Sequence, residues 1–163
     1  MVDVRYIETL MEQVPDPEVP VLNIKDLGVL RSVEEKGGQF EIVITPTYSG
    51  CPAMHAIEEN IHDVLRDTGI SNYRIKTVIS PAWTTDWMSD SAKQKLKEYG
   101  IAPPERSTEE HLKAIAIGKN KSVTCPFCNS TKTHLTSAFG STACKALHYC
   151  DSCDQPFEEF KCH

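Results

Sequence analysis

Two Cys-x-x-Cys steps lie in the last quarter of the chain, Cys125-Pro126-Phe127-Cys128 and Cys150-Asp151-Ser152-Cys153. Each bends the backbone so that two thiolates face one point. Two such knuckles build an S4 cage that suits Zn²⁺ in tetrahedral coordination. The twenty-one residues between them (129–149) slightly exceed the usual spacing. The donor set accepts iron as readily as zinc, because both take tetrahedral thiolates. A disulfide pair is the competing use of these residues. A redox Cys-x-x-Cys would need a strand before it and a helix after it, and neither is evident. So short a segment has little other means of stability, which favours a structural metal.

Other residues could also do chemistry. Cys51 stands in Ser49-Gly50-Cys51-Pro52, where a strand ends, a glycine turns the chain and a helix begins. Unpaired N–H groups and the positive end of a helix dipole favour an anion at such a place. A thiolate there is both nucleophile and metal ligand, whereas an inert, buried cysteine is the commoner outcome. His55, one helical turn on, would be the base of a thiol enzyme. Asp16 and Glu18 lie two apart in Pro15-Asp16-Pro17-Glu18-Val19-Pro20. Three prolines in six residues hold that loop extended and stiff, displaying both carboxylates on one side. They are candidates for acid–base work or for helping Cys51 with a cation, and a solvated turn is the plainer reading. Trp83 and Trp87 pack the core or form a patch for docking a partner. Cys144, six residues before Cys150, could replace a knuckle ligand, act as a thiol near the metal, or pack inside. Cys162, beside His163, reads as an exposed bystander.

These residues need elements to hold them. Ile7, Leu10, Met11 and Val14 recur at helical spacing, and Pro15 ends that helix. Residues 29–35 and 39–45 flank Lys36-Gly37-Gly38 as a β-hairpin, with Phe40, Ile42 and Ile44 on one face. Pro52 opens a second helix whose apolar face is Ile57, Ile61, Val64 and Leu65, and Gly69 stops it. Residues 73–79 alternate as a third strand, and 89–99 form a further helix. The order helix-strand-strand-helix-strand-helix predicts an α+β fold: a small mixed α/β sandwich covered on one face, followed by a zinc-ribbon-like metal module. The division read from sequence is a domain over 1–100, a linker over 101–122 and a four-cysteine module over 123–163. A short helix over His111–Ile117, started by Thr108, Glu109 and Glu110, is expected within the linker.

Composition narrows the class. The chain has 163 residues, a hydrophobic fraction of 40%, a net charge of −6 and seven cysteines. That length gives one ordinary domain and a small appendage. The acidic balance argues against a nucleic-acid partner. No window is apolar and long enough to cross a membrane. The N-terminal residues lack the apolar core of a secretion signal, so a reducing cytoplasm is expected. No pair of Glu-x-x-His motifs on long helices is present to hold two irons, and no glycine-rich dinucleotide fingerprint is present for a flavin reductase.

Asp16-Pro17-Glu18-Val19-Pro20, Asp26-Leu27-Gly28, Ser49-Gly50-Cys51-Pro52 and Pro81-Ala82-Trp83-Thr84-Thr85-Asp86-Trp87-Met88-Ser89 resemble the family of small iron–sulfur cluster assembly factors related to SufT. That resemblance covers about the first hundred residues. It implies an α/β fold and a part in maturing iron–sulfur centres of client proteins, with Cys51 as the residue that handles iron or a cluster. The stretches 125–130, 137–147 and 150–161 extend the likeness to the PaaD family of the bacterial phenylacetyl-CoA epoxidase system. This implies a non-catalytic accessory role beside a multicomponent monooxygenase that epoxidises phenylacetyl-CoA in aerobic phenylacetate degradation. Its partners would be the oxygenase and reductase components, whose di-iron or [2Fe–2S] centre it would mature. One cysteine cannot hold a cluster tightly. Transient handling therefore calls on a second protomer, a small thiol or the client. A structural adaptor and a thiol enzyme using Cys51 and His55 are the competing classes.

Overall fold

The computed structural model describes residues 2–105 and 122–161. The helix expected over His111–Ile117, and Cys162 with His163, lie outside them. The chain divides into two compact units, residues 1–92 and 93–163. The helix read from sequence as the end of the first domain therefore contains the boundary.

The first unit opens with α1 (Val4–Met11), capped by Asp3, whose Oδ1 accepts from the Tyr6 N–H at 2.8 Å. The helix is shorter than the periodicity suggests. Its last turn tightens to bonds three residues apart, from Gln13 N to Leu10 O and from Val14 N to Met11 O. Val14 is still buried, so its apolar spacing was genuine although its helical state was not. The hairpin is β1 (Leu30–Lys36) and β2 (Gln39–Ile44), antiparallel, with Lys36 opposite Gln39. Gly37 and Gly38 both have positive φ, 61° and 80°, which a two-residue turn of this hand requires.

After β2 the chain crosses over through α2 (Ala53–Asp67) and returns as β3 (Tyr73–Thr77), parallel to β2. The sheet order is β1-β2-β3. Ile57, Ile61 and Leu65 of α2 and Ile7, Leu10 and Met11 of α1 are buried, together with Phe40, Ile42 and Ile44 of β2. Each fully buried side chain of this kind contributes about 1.5–3 kcal/mol of transfer free energy. Val64, expected on the buried face, is only half-buried. A 3₁₀ turn (Thr85–Trp87) then leads to α3 (Asp90–Glu98), which runs from one unit into the other.

The second unit is a four-stranded sheet. Its strands are β4 (Ile101–Ala102), β5 (Thr133–Ser137), β6 (Lys145–Cys150) and β7 (Gln155–Phe160), in the order β4-β7-β6-β5. β6 pairs antiparallel with both β5 and β7, and β4 pairs parallel with β7. Residues 101 and 102, read as linker, are thus the outer strand of this sheet. A two-residue strand leaves no periodic signal. One small core cluster of this unit is Ala102, Val123, Cys125, Cys150 and Phe157, with Cys153 against it. The whole is an α+β protein with a mixed α/β sandwich and a cysteine-bearing β-ribbon. Among the described residues no helix is long and apolar enough to cross a membrane.

Candidate metal centre

Both knuckles of the second unit close in the same way. Asn129 N donates to Cys125 O at 3.0 Å, and Asp154 N donates to Cys150 O at 3.0 Å. Asn129 and Asp154 take positive φ, 60° and 55°. Asn and Asp enter this left-handed region more readily than other side-chain-bearing residues. The sequence pattern did not single them out, though an Asn or Asp directly after the second cysteine of each motif was the available sign. Ser130 and Ser152 join the two loops through hydroxyls 2.7 Å apart.

The four sulfurs of Cys125, Cys128, Cys150 and Cys153 lie within 4.8 Å of one another. Cys125 Sγ is 3.8 Å from Cys153 Sγ, and Cys128 Sγ is 3.6 Å from Cys150 Sγ. A disulfide needs about 2 Å, so the crosslinked alternative does not describe this arrangement. A tetrahedron with metal–sulfur bonds of about 2.3 Å has edges of about 3.8 Å. The donor set and its spacing therefore fit one tetrahedral, thiolate-bound ion. Burial opposes a thiolate at both sulfurs of the second knuckle. At Cys150 the N–H groups of Ser152 and Cys153, together with the Cys128 and Cys153 sulfurs, outweigh burial, and the thiol comes down to about 7. At Cys153 the neighbouring thiols add to burial and push it to about 12. Loading a metal must therefore displace protons.

Cys144 stands apart from the cage. It is buried, its sulfur lies 3.1 Å from Thr142 Oγ1, and its carbonyl accepts from Lys161 N. The group of four sulfurs does not include it. A second buried polar contact, His148 Nε2 to Glu159 Oε2 at 2.9 Å, links β6 to β7, and the His148 ring stacks on Phe157.

In the first unit Cys51 is half-buried on the loop before α2. Its N–H donates to Tyr48 O, its carbonyl accepts from Met54 N, and Thr47 Oγ1 lies 3.8 Å from its sulfur. Pro52 occupies the cap position of α2, with no side-chain cap bond, so Cys51 precedes the helix by two residues. The His55 imidazole faces Glu59 at 3.5 Å and is largely exposed. Among the described residues no contact joins it to Cys51.

The acidic loop differs from the sequence expectation. It is not extended. Pro15 bridges Asn23, Asp16 N donates to Leu22 O, and Leu22 N donates to Val19 O. Asp16 is buried, and its Oδ1 accepts from Glu18 N at 2.9 Å and Val19 N at 2.7 Å. This side-chain turn folds the loop on itself, so the two carboxylates are not displayed side by side. Glu18 is half-buried.

The two tryptophans also part company. Trp83 is 5% exposed, and its Nε1 donates to Leu27 O at 2.9 Å. Trp87 is half-buried, with the Arg31 guanidinium 3.4 Å above its ring. Gly28 lies against it with φ +72°, and a Cβ there would come within 2.7 Å of Trp87. The Asp26-Leu27-Gly28 step is therefore fixed by the tryptophan segment.

The fold and the sulfur geometry define a class: a small mixed α/β unit and a β-ribbon with a four-cysteine centre on one chain. Residues 5–71 match the family described as iron-sulfur cluster assembly protein. Residues 109–161 match the one described as PaaD zinc beta ribbon domain. Over 160 residues the chain is 47% identical to the D component of the "Putative 1,2-phenylacetyl-CoA epoxidase" of Escherichia coli (strain K12), covering 98% of this chain and 93% of that protein. The chain belongs to this PaaD family. Its first part is also 35% identical over 88 residues to the Fe-S protein maturation auxiliary factor YitW of Bacillus subtilis (strain 168), covering 53% of this chain and 85% of that protein. Among solved structures, a domain of unknown function DUF59 from Bacillus anthracis superposes with a TM-score of 0.53 at 27% identity, covering 57% of this chain and 90% of that one.

Proposed function

We infer that this protein is a non-catalytic, cytoplasmic accessory factor of the phenylacetyl-CoA 1,2-epoxidase system that helps assemble the iron–sulfur or di-iron centre of the reductase or oxygenase component. One observation carries the reading. Cys51 lies on an accessible loop of the assembly-type unit, outside the closed group of four ribbon sulfurs. The likeness to an Fe-S protein maturation auxiliary factor over that same unit supports it.

The division of labour follows from donor number. Cys125, Cys128, Cys150 and Cys153 would hold Zn²⁺, which supplies a fixed, redox-inert fold for the ribbon. Iron or a cluster is cargo, held briefly at the Cys51 thiolate. A single thiolate binds such cargo weakly, because clusters take four. Remaining ligands come from the client, a small thiol or a second protomer. Glu18 is the carboxylate of the acidic loop better placed to assist, being half-buried where Asp16 is buried. The half-buried Trp87 ring is the member of the tryptophan pair offered to a partner, and Trp83 supports it from the core.

The test is iron content of the client. Oxygenase and reductase components matured with the Cys51→Ser protein as their sole source of this factor are expected to contain markedly less iron than with the native chain, while the variant keeps its native circular dichroism spectrum. Full iron content in both components would overturn the transfer role.

A further inference from the structure

The four ribbon sulfurs are not equally sheltered. Cys125 and Cys150 are fully buried, and Cys153 is half-buried. Cys128 is exposed. Phe127 before it and Asn129 after it are exposed as well, so the cage meets solvent at the end of the first knuckle. Hydrogen bonding to sulfur differs too. The N–H groups of Ser152 and Cys153 both reach the Cys150 sulfur, and Ser130 supplies one such bond at Cys128. N–H groups aimed at a thiolate draw off its charge and blunt its attack. A cysteine that holds a metal is deprotonated, and an accessible thiolate is open to oxidation.

The exposed sulfur also has a second thiol beside it on the other knuckle. Cys128 Sγ is 3.6 Å from Cys150 Sγ, against 3.8 Å between Cys125 and Cys153. Two residues beyond each of this closer pair, the Ser130 and Ser152 hydroxyls lie 2.7 Å apart and tie the two loops together. The buried Cys150 is thus shut off from solvent and adjacent to the one sulfur that solvent reaches freely. Cys144 is buried away from the group of four, and Cys51 belongs to the other unit.

We propose that Cys128 is an oxidation site through which hydrogen peroxide opens the sulfur cage, with Cys150 as the thiol that completes the reaction. The Cys128 thiolate attacks one peroxide oxygen. An S–O bond forms, the O–O bond breaks, and hydroxide leaves and takes a proton from solvent. The Cys150 thiolate then attacks the Cys128 sulfur. An S–S bond forms, the S–O bond breaks, and a second hydroxide leaves and is protonated. Two thiolates give up two electrons, and one peroxide becomes two waters. Cys125 and Cys153 are then the only donors left, too few to retain the ion. A dithiol reverses the change by exchange at the new disulfide.

The test uses the full, zinc-loaded chain, hydrogen peroxide and a coloured zinc chelator. One ion is expected to be released for each disulfide formed, and a non-reducing digest to yield the Cys128 peptide linked to the Cys150 peptide. Dithiothreitol with added Zn²⁺ is expected to restore the loaded chain. Cys128→His and Cys153→His each keep four metal donors. The first is expected to slow release by about tenfold or more, and the second to leave it within about twofold of native. Equal slowing by both variants, linkage within a single knuckle, or zinc retained in excess peroxide would overturn the proposal. The linkage is read on the native chain, so it decides the matter even where a variant fails to hold its ion. Neither Cys51 nor a client enters these readouts, so a failure of the maturation role leaves the outcome unaffected.

Discussion

The Asp16 carboxylate closes its own loop. Oδ1 takes two backbone N–H groups, from Glu18 and Val19, inside a segment the prolines alone would have held open. Proline fixes φ at three positions, but it does not say where a neighbouring carboxylate finds donors. The turn was therefore only half legible: its residues were marked and its closure was not. The same holds for Trp83, whose indole partner is the Leu27 carbonyl 56 residues away. By contrast, the knuckle cysteines could be read directly, because the motif is local and repeated. A substitution separates the two roles of Asp16. Asp16→Asn keeps an oxygen acceptor and is expected to unfold in urea close to the native protein. Asp16→Ala orphans two N–H groups and is expected to lose about 1–2 kcal/mol. Equal damage from both would mean that the charge, rather than the turn, is what the position supplies.

At the level of elements, the period-two pattern of β2 put Phe40, Ile42 and Ile44 on the covered face, and they are buried there. It put Glu41 on the other face, where the expectation would be solvent. Glu41 is instead 2% exposed, covered by Lys36 at 2.6 Å and paired with Arg74 directly across on β3. Periodicity assigns a face, but not whether long cationic side chains fold over it. β4 escaped reading for a related reason, since its partner β7 lies more than fifty residues on. The Glu41 arrangement carries a pH dependence. The Lys36 hydrogen bond foremost, and the Arg74 charge, hold its carboxyl below the ordinary glutamate range, against the effect of burial. A carboxylate lowered on folding stabilises fully above its unfolded value of about 4.3, and loses that contribution as pH falls through the folded value. Glu34, lowered first by its bond to Lys36, acts in the same direction. The unfolding midpoint of the first unit is thus expected to hold level from pH 7 to about pH 5 and to fall below it. Glu41→Gln should be less stable at neutral pH and show a shallower acid decline in a urea titration series.

Taken as a whole molecule, the two units rest on different kinds of core. The first buries Ile7, Leu10, Met11, Leu22, Ile24, Ile42, Ile44, Ile57, Ile61 and Leu65. The second buries fewer: Leu96, Ile101, Ala102, Val123, Ala146, Phe157 and Phe160, together with Cys125, Cys144 and Cys150. A core that small leaves stability to the ion, whose binding is worth about 10–16 kcal/mol in comparable sulfur and imidazole sites. The sequence exposed this asymmetry through its cysteine spacing. It placed the border less well, because α3 runs from one unit into the other without a break in pattern. Metal removal is therefore expected to divide the molecule. Under reducing conditions, a strong chelator should collapse the NMR signals of Val123, Ala146 and Phe157 while those of Ile42, Ile57 and Leu65 keep their native positions, and added Zn²⁺ should restore the first set. Acid should act like the chelator. Protons compete for the four sulfurs, and at Cys153 burial and the neighbouring thiols favour the protonated form, to about 12 without metal. Loss of both sets together would show that the units share a single cooperative core, and survival of both would show that the ribbon holds its strands without any ion.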